Sequence, residues 1–418
     1  MGVESIKEKV KQLKQSKDGK VLVKNFAYLS LLQIIGYVFP LITIPYLARV
    51  IGVDGYGKIA FAFSVIVYFQ TFVDWGFSYT AVRDIAKNKE NREIVSKIFS
   101  NVLFSKILLF GFATVIFAIL VTFIPFLNEN QEILWFTFLI IPGYILFPDW
   151  LFQAMEEMKY ITLMNFFSKL IFTILIFVAI KEKSDYVIEP LLNSCGMIVC
   201  GVTATIYALK KFGLKLSLPS LSECLLTIKS STNMFISLFL PNLYTNFSVT
   251  LLGFVGGSVA TGIYSSGKKF IDITDQFSNV LSRTFFPFLA RRLDKHSLYV
   301  KISGTISVLM GLFLFLSADL LVDIFYTEEF SNAANIIRIM AIAPFFCFLM
   351  NTYGTNYLVL SGREDVLRNI ILGCSVFGFV VSWFATVYLN YIGVAVTITL
   401  IWGIRGVLTY LFARKIKS

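Results

Sequence analysis

The chain has 418 residues, 56% of them hydrophobic and 15% charged, with a formal net charge of +11. Its mean hydropathy of +0.74 is above that of a soluble domain of this length, and its apolar runs are long enough to cross a hydrocarbon core of about 30 Å. The positive charge does not point to nucleic acid, because the basic residues sit in short connecting loops, as membrane topology requires.

The first 24 residues are polar and lysine-rich. Within them Val3, Ile6, Val10 and Leu13 form an apolar stripe at helical spacing, which fits either an interfacial helix on anionic lipid or a solvated basic tail. The first apolar run, from about Asn25 to Arg49, is too long for a signal core of about 7–15 residues, so no cleaved signal is expected.

Apolar stretches of spanning length follow at 26–48, 59–82, 99–124, 133–153, 162–180, 187–209, 231–253, 259–282, 299–324, 335–360, 366–388 and 391–413. The expected fold is therefore an all-α integral membrane protein with about twelve spans. Alternation from a cytoplasmic N-terminus gathers the basic loops around 83–97, 210–229, 283–301, 363–368 and 414–417 on the inner side. The outer side keeps only Arg49, Lys58, Lys181, Lys183 and Arg338. This asymmetry predicts both termini in the cytoplasm and an even number of spans.

A weak internal repeat relates the two halves. A shift of 205 residues pairs Gly52 with Gly257 and Gly57 with Gly262, each pair in a tight outer turn between two hydrophobic helices. Two parallel six-helix lobes, 25–210 and 231–414, would follow. Between them lies a cytoplasmic linker, 211–230, in which Leu218, Leu221, Leu225 and Ile228 repeat the amphipathic pattern; residues 415–418 form a short tail.

Ionisable groups within spans are costly and require a partner or an aqueous cavity. Span two holds Asp74, span three Lys106, span four Asp149, span five Lys169 and span twelve Arg405. Span eight holds Lys268, Lys269, Asp272 and Asp275. Lys268, Asp272 and Asp275 share one helix face, and Lys268 lies roughly 14 Å below the outer turn. That face lines a wet cavity, or else forms an internally paired cluster that joins helices. Asp74 is placed to pair with Lys106. Lys106, Lys169 and Arg405 are also within snorkelling range of the inner side. Arg49 marks the outer end of span one and either serves function or anchors at headgroup level. Arg83, Asp84 and Arg283 mark inner ends. The basic excess among the deep groups suggests an anionic ligand such as a pyrophosphate. A proton or sodium pathway, the alternative use, would favour Asp74, Asp272 and Asp275.

The five cysteines, Cys195, Cys200, Cys224, Cys347 and Cys374, imply no disulfide framework, and the single histidine, His296, excludes a His-rich metal site. No cofactor and no catalytic residue are expected. Proline punctuates several spans, and Pro45 and Pro241 fall in the opening helix of each half, where a kink is either a hinge or static.

The motif residues resemble Wzx-type O-antigen flippases. They are Asn25-Phe26 with Pro40, the run Pro45-Tyr46-Leu47-Ala48-Arg49-Val50-Ile51-Gly52-Val53-Asp54-Gly55-Tyr56-Gly57, and Asp74-Trp75-Gly76-Phe77 through Arg83-Asp84-Ile85-Ala86. To these is added Pro148-Asp149-Trp150-Leu151-Phe152-Gln153-Ala154-Met155-Glu156-Glu157-Met158. Such proteins belong to the polysaccharide-transport branch of the multidrug/oligosaccharidyl-lipid/polysaccharide exporter superfamily. The resemblance implies two pseudo-symmetric six-helix bundles around a central, often cationic, cavity in the bacterial inner membrane. It implies that an undecaprenyl-pyrophosphate-linked repeat unit moves from the cytoplasmic to the periplasmic leaflet by alternating access. A polysaccharide polymerase and a chain-length regulator are the protein partners it suggests. By the same resemblance Arg49, Asp74, Arg83, Asp84, Asp149, Glu156 and Glu157 occupy motif positions as substrate, gate or structural residues. Two other classes remain open at this point. One is a cation-coupled multidrug antiporter of the same superfamily. The other is a polytopic polysaccharide-processing enzyme, which the short outer loops disfavour.

Overall fold

The computed structural model describes residues 17–291 and 293–417, which form helices joined by short turns, with no strand among the described residues. Helix α1 (Lys17–Asp74) carries spans one and two, and α2 (Phe77–Lys87) follows a sharp break at Trp75 and Gly76. Span three is α3 (Arg92–Phe123). After α4 (Pro125–Glu129), span four is assembled from α5 (Gln131–Phe138), α6 (Ile140–Leu146) and α7 (Asp149–Ala154). The last break falls at Phe147 and Pro148, where proline lacks the amide proton needed to continue the helix. Spans five and six are α8 (Met158–Ala179) and α9 (Ile188–Phe212).

Helix α10 (Leu221–Arg291) carries spans seven and eight. Span nine is α11 (His296–Leu316) with α12 (Ala318–Phe325). Span ten is α13 (Ala333–Met340), α14 (Ala343–Leu349) and a π-helical segment, Met350–Val359. Helix α15 (Glu364–Lys417) carries spans eleven and twelve. Among the described residues nine helical stretches are long and apolar enough to cross a membrane. Three of them, α1, α10 and α15, fold back at an internal break and so cross twice, which makes twelve crossings. Large apolar side chains such as Phe123 and Val178 are exposed on the outward faces, as a hydrocarbon solvent requires.

The breaks show how local sequence sets the architecture. Gly52 (φ 67°, ψ −176°) and Gly257 (φ 76°, ψ −177°) adopt the same extended conformation with positive φ, which essentially only glycine tolerates. The repeat read from the sequence is thus a repeat of backbone geometry. The third break uses Asn390 (φ 54°) instead, and its Oδ1 accepts the Tyr391 amide at 2.8 Å.

One buried cluster joins α2 to α9 with the second limb of α1, through residues such as Phe77, Phe99, Phe117, Leu134, Trp150 and Ala204. A second gathers the C-terminal half around Tyr264, Ile271, Phe330, Ile337 and Ile398. Ile44, Ala48 and Val53 of α1 belong to this second cluster, so the outer end of span one straddles both lobes.

The structure revises one expectation. The linker helix is not a separate interfacial element: α10 runs from Leu221 directly into span seven. It is pinned to the inner end of α3 by Lys97 and Glu223 at 2.8 Å and by the Ser217 amide, which donates to Ser100 at 3.1 Å. Leu218, Leu221 and Leu225 are exposed, but Ile228 packs on the N-terminal lobe. The stripe Val3, Ile6, Val10 and Leu13 lies outside the described residues.

Candidate functional site

A cavity of about 500 Å³ lies between the lobes. Its walls come from both limbs of α1, from α8 and α9, and from both limbs of α10. Its ionisable lining is Lys169 from α8, Glu189 from α9, and Lys268, Lys269 and Asp272 from α10. Lys268 forms an ion pair with Asp272 one turn along the same helix. Lys169 and Lys269 make no ion pair or hydrogen bond with any described residue. The Lys169 ammonium lies against Gly36 of α1, so it faces inward to the cavity and does not snorkel. Asn193 and Asn246 add amide groups to the lining. After Lys268 and Asp272 are paired, two lysines face one glutamate and the cavity keeps a positive excess.

Asp275 shares the helix face of Lys268 and Asp272 but not the cavity. One turn deeper, the same helix face meets α14, where Asp275 lies beside Cys347 and accepts Asn279 Nδ2 at 3.3 Å. Asn279 in turn accepts from Asn351 at 3.0 Å in the π-helical segment. Arg405 lies beside Asp275 and Tyr244 inside the C-terminal lobe, with its Nε lacking a hydrogen bond among the described residues. It neither snorkels nor lines the cavity.

Above the cavity the outer ends of the lobes are closed by the paired glycine turns. A Cβ on Gly57 would collide with the Ser258 carbonyl oxygen, and one on Gly262 with the Val53 carbonyl oxygen. The same 205-residue shift relates Val53 to Ser258, so the contact is reciprocal about a pseudo-two-fold axis. Three polar contacts reinforce it. The Val53 amide, the first after the Gly52 break, donates to Glu329 at 3.0 Å, and Lys183 lies 3.6 Å from the same carboxylate. Ser258 donates to Asp54, which also pairs with Lys58 at 2.9 Å. Partial burial raises the Asp54 carboxyl, but hydrogen bonds from Ser258 and Lys58 outweigh it and hold the group below the ordinary carboxylate value.

Spans two and seven run antiparallel along a continuous seam. Ser64 and Thr250 are 2.9 Å apart, Tyr68 donates to the Asn242 carbonyl at 3.0 Å, and Thr80 and Ser231 are 2.8 Å apart at the inner end. There Trp75 stacks on Phe235 with ring centroids 4.1 Å apart and donates to the Ile228 carbonyl at 3.0 Å. Trp75 has φ 45°, a strained value for a bulky side chain.

Beside this seam is a second polar pocket of about 460 Å³, lined mainly by the N-terminal lobe and also by Leu238 and Asn242 of span seven. Lys106 and Asp74 pair in it at 2.7 Å, as their positions on neighbouring spans predict, and Ser78 donates to the same carboxylate oxygen at 2.8 Å. Lys106 has a side chain only 5% exposed, so it is buried rather than snorkelling. Asp149 lines the pocket from the break in span four and accepts the Trp150 amide at 2.8 Å.

The remaining motif residues lie at the surface. Arg83 pairs with its neighbour Asp84 at 2.8 Å, Glu156 with Lys89 at 3.1 Å and Glu157 with Lys211 at 2.8 Å, all within the N-terminal lobe. Arg49 and Arg283 are exposed. The cross-lobe contacts at the inner end come from Trp75, Thr80 and Ser231 instead. Sequence reasoning missed Glu189, Asn193 and Asn246 in the cavity and Glu329 at the outer closure. The available signal for Glu189 was an acid inside the apolar window 187–209.

The same fold occurs in solved membrane transporters. The structure overlays on the lipid II flippase MurJ in an inward closed conformation with a TM-score of 0.73, 13% identity, and coverage of 95% of this chain and 88% of that one. An inward-facing multidrug resistance MATE family transporter of the MOP superfamily gives 0.67 at 13% identity, covering 94% and 98%. The chain itself belongs to the family described as polysaccharide biosynthesis protein, whose model matches residues 22–293. A protein of Escherichia coli (strain K12) named "Putative O-antigen transporter" is 28% identical over 385 residues, 90% of this chain and 93% of that protein.

Proposed function

We propose that the protein flips a polyprenyl-diphosphate-linked oligosaccharide, an O-antigen or similar repeat unit on undecaprenyl pyrophosphate, from the cytoplasmic to the periplasmic leaflet of the bacterial inner membrane. The observation that carries this reading is a pair of uncommitted lysines, Lys169 and Lys269, presented to one cavity by opposite lobes. A diphosphate is the ligand such a pair suits, because ammonium groups form charge-assisted hydrogen bonds to phosphate oxygens. The amides of Asn193 and Asn246 offer both donors and acceptors to sugar hydroxyls. A wet cavity removes the cost of taking a glycan through hydrocarbon, while the lipid tail stays in the bilayer. The name of the Escherichia coli relative and the inner-side excess of Lys and Arg support the glycan class and the orientation.

Two lobes that close the outer end by reciprocal turns and share a binding cavity suit alternating access. The direct test is reconstitution. In proteoliposomes, a fluorescent polyprenyl-diphosphate-linked oligosaccharide placed in one leaflet should become accessible to a lectin on the other side, while efflux of a cationic dye stays at background. Dye efflux without glycan translocation would instead establish a multidrug antiporter.

A further inference from the structure

The cavity holds one carboxylate that headgroup binding does not require. Glu189 sits in the first turn of α9, is only 8% exposed, and its Oε2 has no hydrogen-bond partner among the described residues. A buried carboxylate without hydrogen bonds is costly unless cations stand close by. The charged groups facing the same space are Lys169 from α8 and Lys268, Lys269 and Asp272 from the second limb of α10. Lys268 is committed to Asp272. Lys269 is the cation whose field acts on Glu189, and Lys269 also repels Lys169 across the lobe boundary. With no anion present, two like charges on opposite lobes would oppose closure of a cavity of low dielectric.

We propose that Glu189 is the resident counter-anion of the empty cavity: it neutralises Lys269, and so relieves its repulsion of Lys169, when no headgroup is bound, competes with an incoming diphosphate for the Lys269 ammonium, and favours its release. This rests on the diphosphate reading above and extends it. Glu189 belongs to the N-terminal lobe and Lys269 to the C-terminal lobe, so their attraction spans the interface that must open and close. The exchange of one anion for another lets the lobes meet both loaded and empty, which a one-way carrier requires to reset.

The test uses the full chain in lipid nanodiscs with farnesyl diphosphate as the probe, and the same variants in the flipping assay. Glu189→Gln should bind the probe about tenfold more tightly, the worth of one charged contact, yet flip more slowly because release is impaired. Lys269→Met should bind weakly, and the double variant Glu189→Gln/Lys269→Met should lose the gain. Tighter binding with slower turnover is a split that a merely damaged fold would not produce. Glu189→Ala carries the same expectation should Glu189→Gln fail to assemble. Unchanged or weaker binding by the neutral variants, or a gain that persists without Lys269, would overturn the proposal while leaving the headgroup reading intact. Wild-type protein that flips glycan lipid but does not bind farnesyl diphosphate would overturn both.

Discussion

The central cavity and the pocket around Asp74 both hold lysines and carboxylates, but only the cavity leaves lysines without a partner among the described residues. In the pocket, lysine and carboxylate meet at 2.7 Å, and a serine donates to the same carboxylate oxygen. In the cavity, Lys169, Lys269 and Glu189 share a space of about 500 Å³ without a direct bond. A paired ion in a membrane span joins helices; an unpaired one is stable only with water or a ligand nearby. The contrast underlies the proposed division, structure in the pocket and substrate handling in the cavity, and it can be broken by experiment.

The largest effect should come from Lys169→Met/Lys269→Met. Two charge-assisted contacts worth about 1.5–3 kcal/mol each correspond to a loss of flipping of about a hundredfold or more, with membrane insertion and thermal stability unchanged. Lys106→Met should do the reverse. Leaving Asp74 without its partner costs about 3 kcal/mol of stability, read as a lower melting temperature in detergent, and Asp74→Asn/Lys106→Met should recover most of it. A transport defect without destabilisation in Lys106→Met would erase the contrast between the two regions. Gly57→Val acts on the closure above the cavity: its side chain meets a backbone carbonyl that cannot yield. Outer-side cysteine reporters should become more accessible in it, and flipping should fall by about tenfold, because one closed state is disfavoured. The smallest effect is expected at the surface, where Arg83→Ala removes an exposed pair worth about 0–1 kcal/mol and should leave flipping within about twofold of wild type.

Much of this was legible in the sequence because membrane topology is written in one dimension. The length of apolar runs gave the crossings, the glycine turns gave the repeat, and Asp74 and Lys106 on adjacent spans gave an ion pair. The cavity was legible only in part. Lys268 and Lys269 were both candidate cavity cations, yet Asp272, four residues away on the same helix, neutralises Lys268, while Lys269 is left without a partner among the described residues. Helical spacing fixes which residues share a face, but not what packs opposite that face at each depth. That is why Asp275 and Arg405 ended inside the C-terminal lobe. Glu329 was out of reach for a related reason: its role is to cap a helix that begins 276 residues away in sequence, a contact set by the meeting of the two lobes.

The central claim is that cargo passes between the lobes through this cavity, which requires the outer closure to open in each cycle. Asp54 and Ser258 meet across that closure, and an Asp54→Cys/Ser258→Cys disulfide would lock it. Under oxidising conditions the cross-linked protein should flip polyprenyl-diphosphate-linked oligosaccharide no faster than empty liposomes, and a reductant should restore the rate of the reduced variant. Undiminished flipping by fully cross-linked protein would contradict the account, because the cargo would then be crossing by a route that never parts the two lobes.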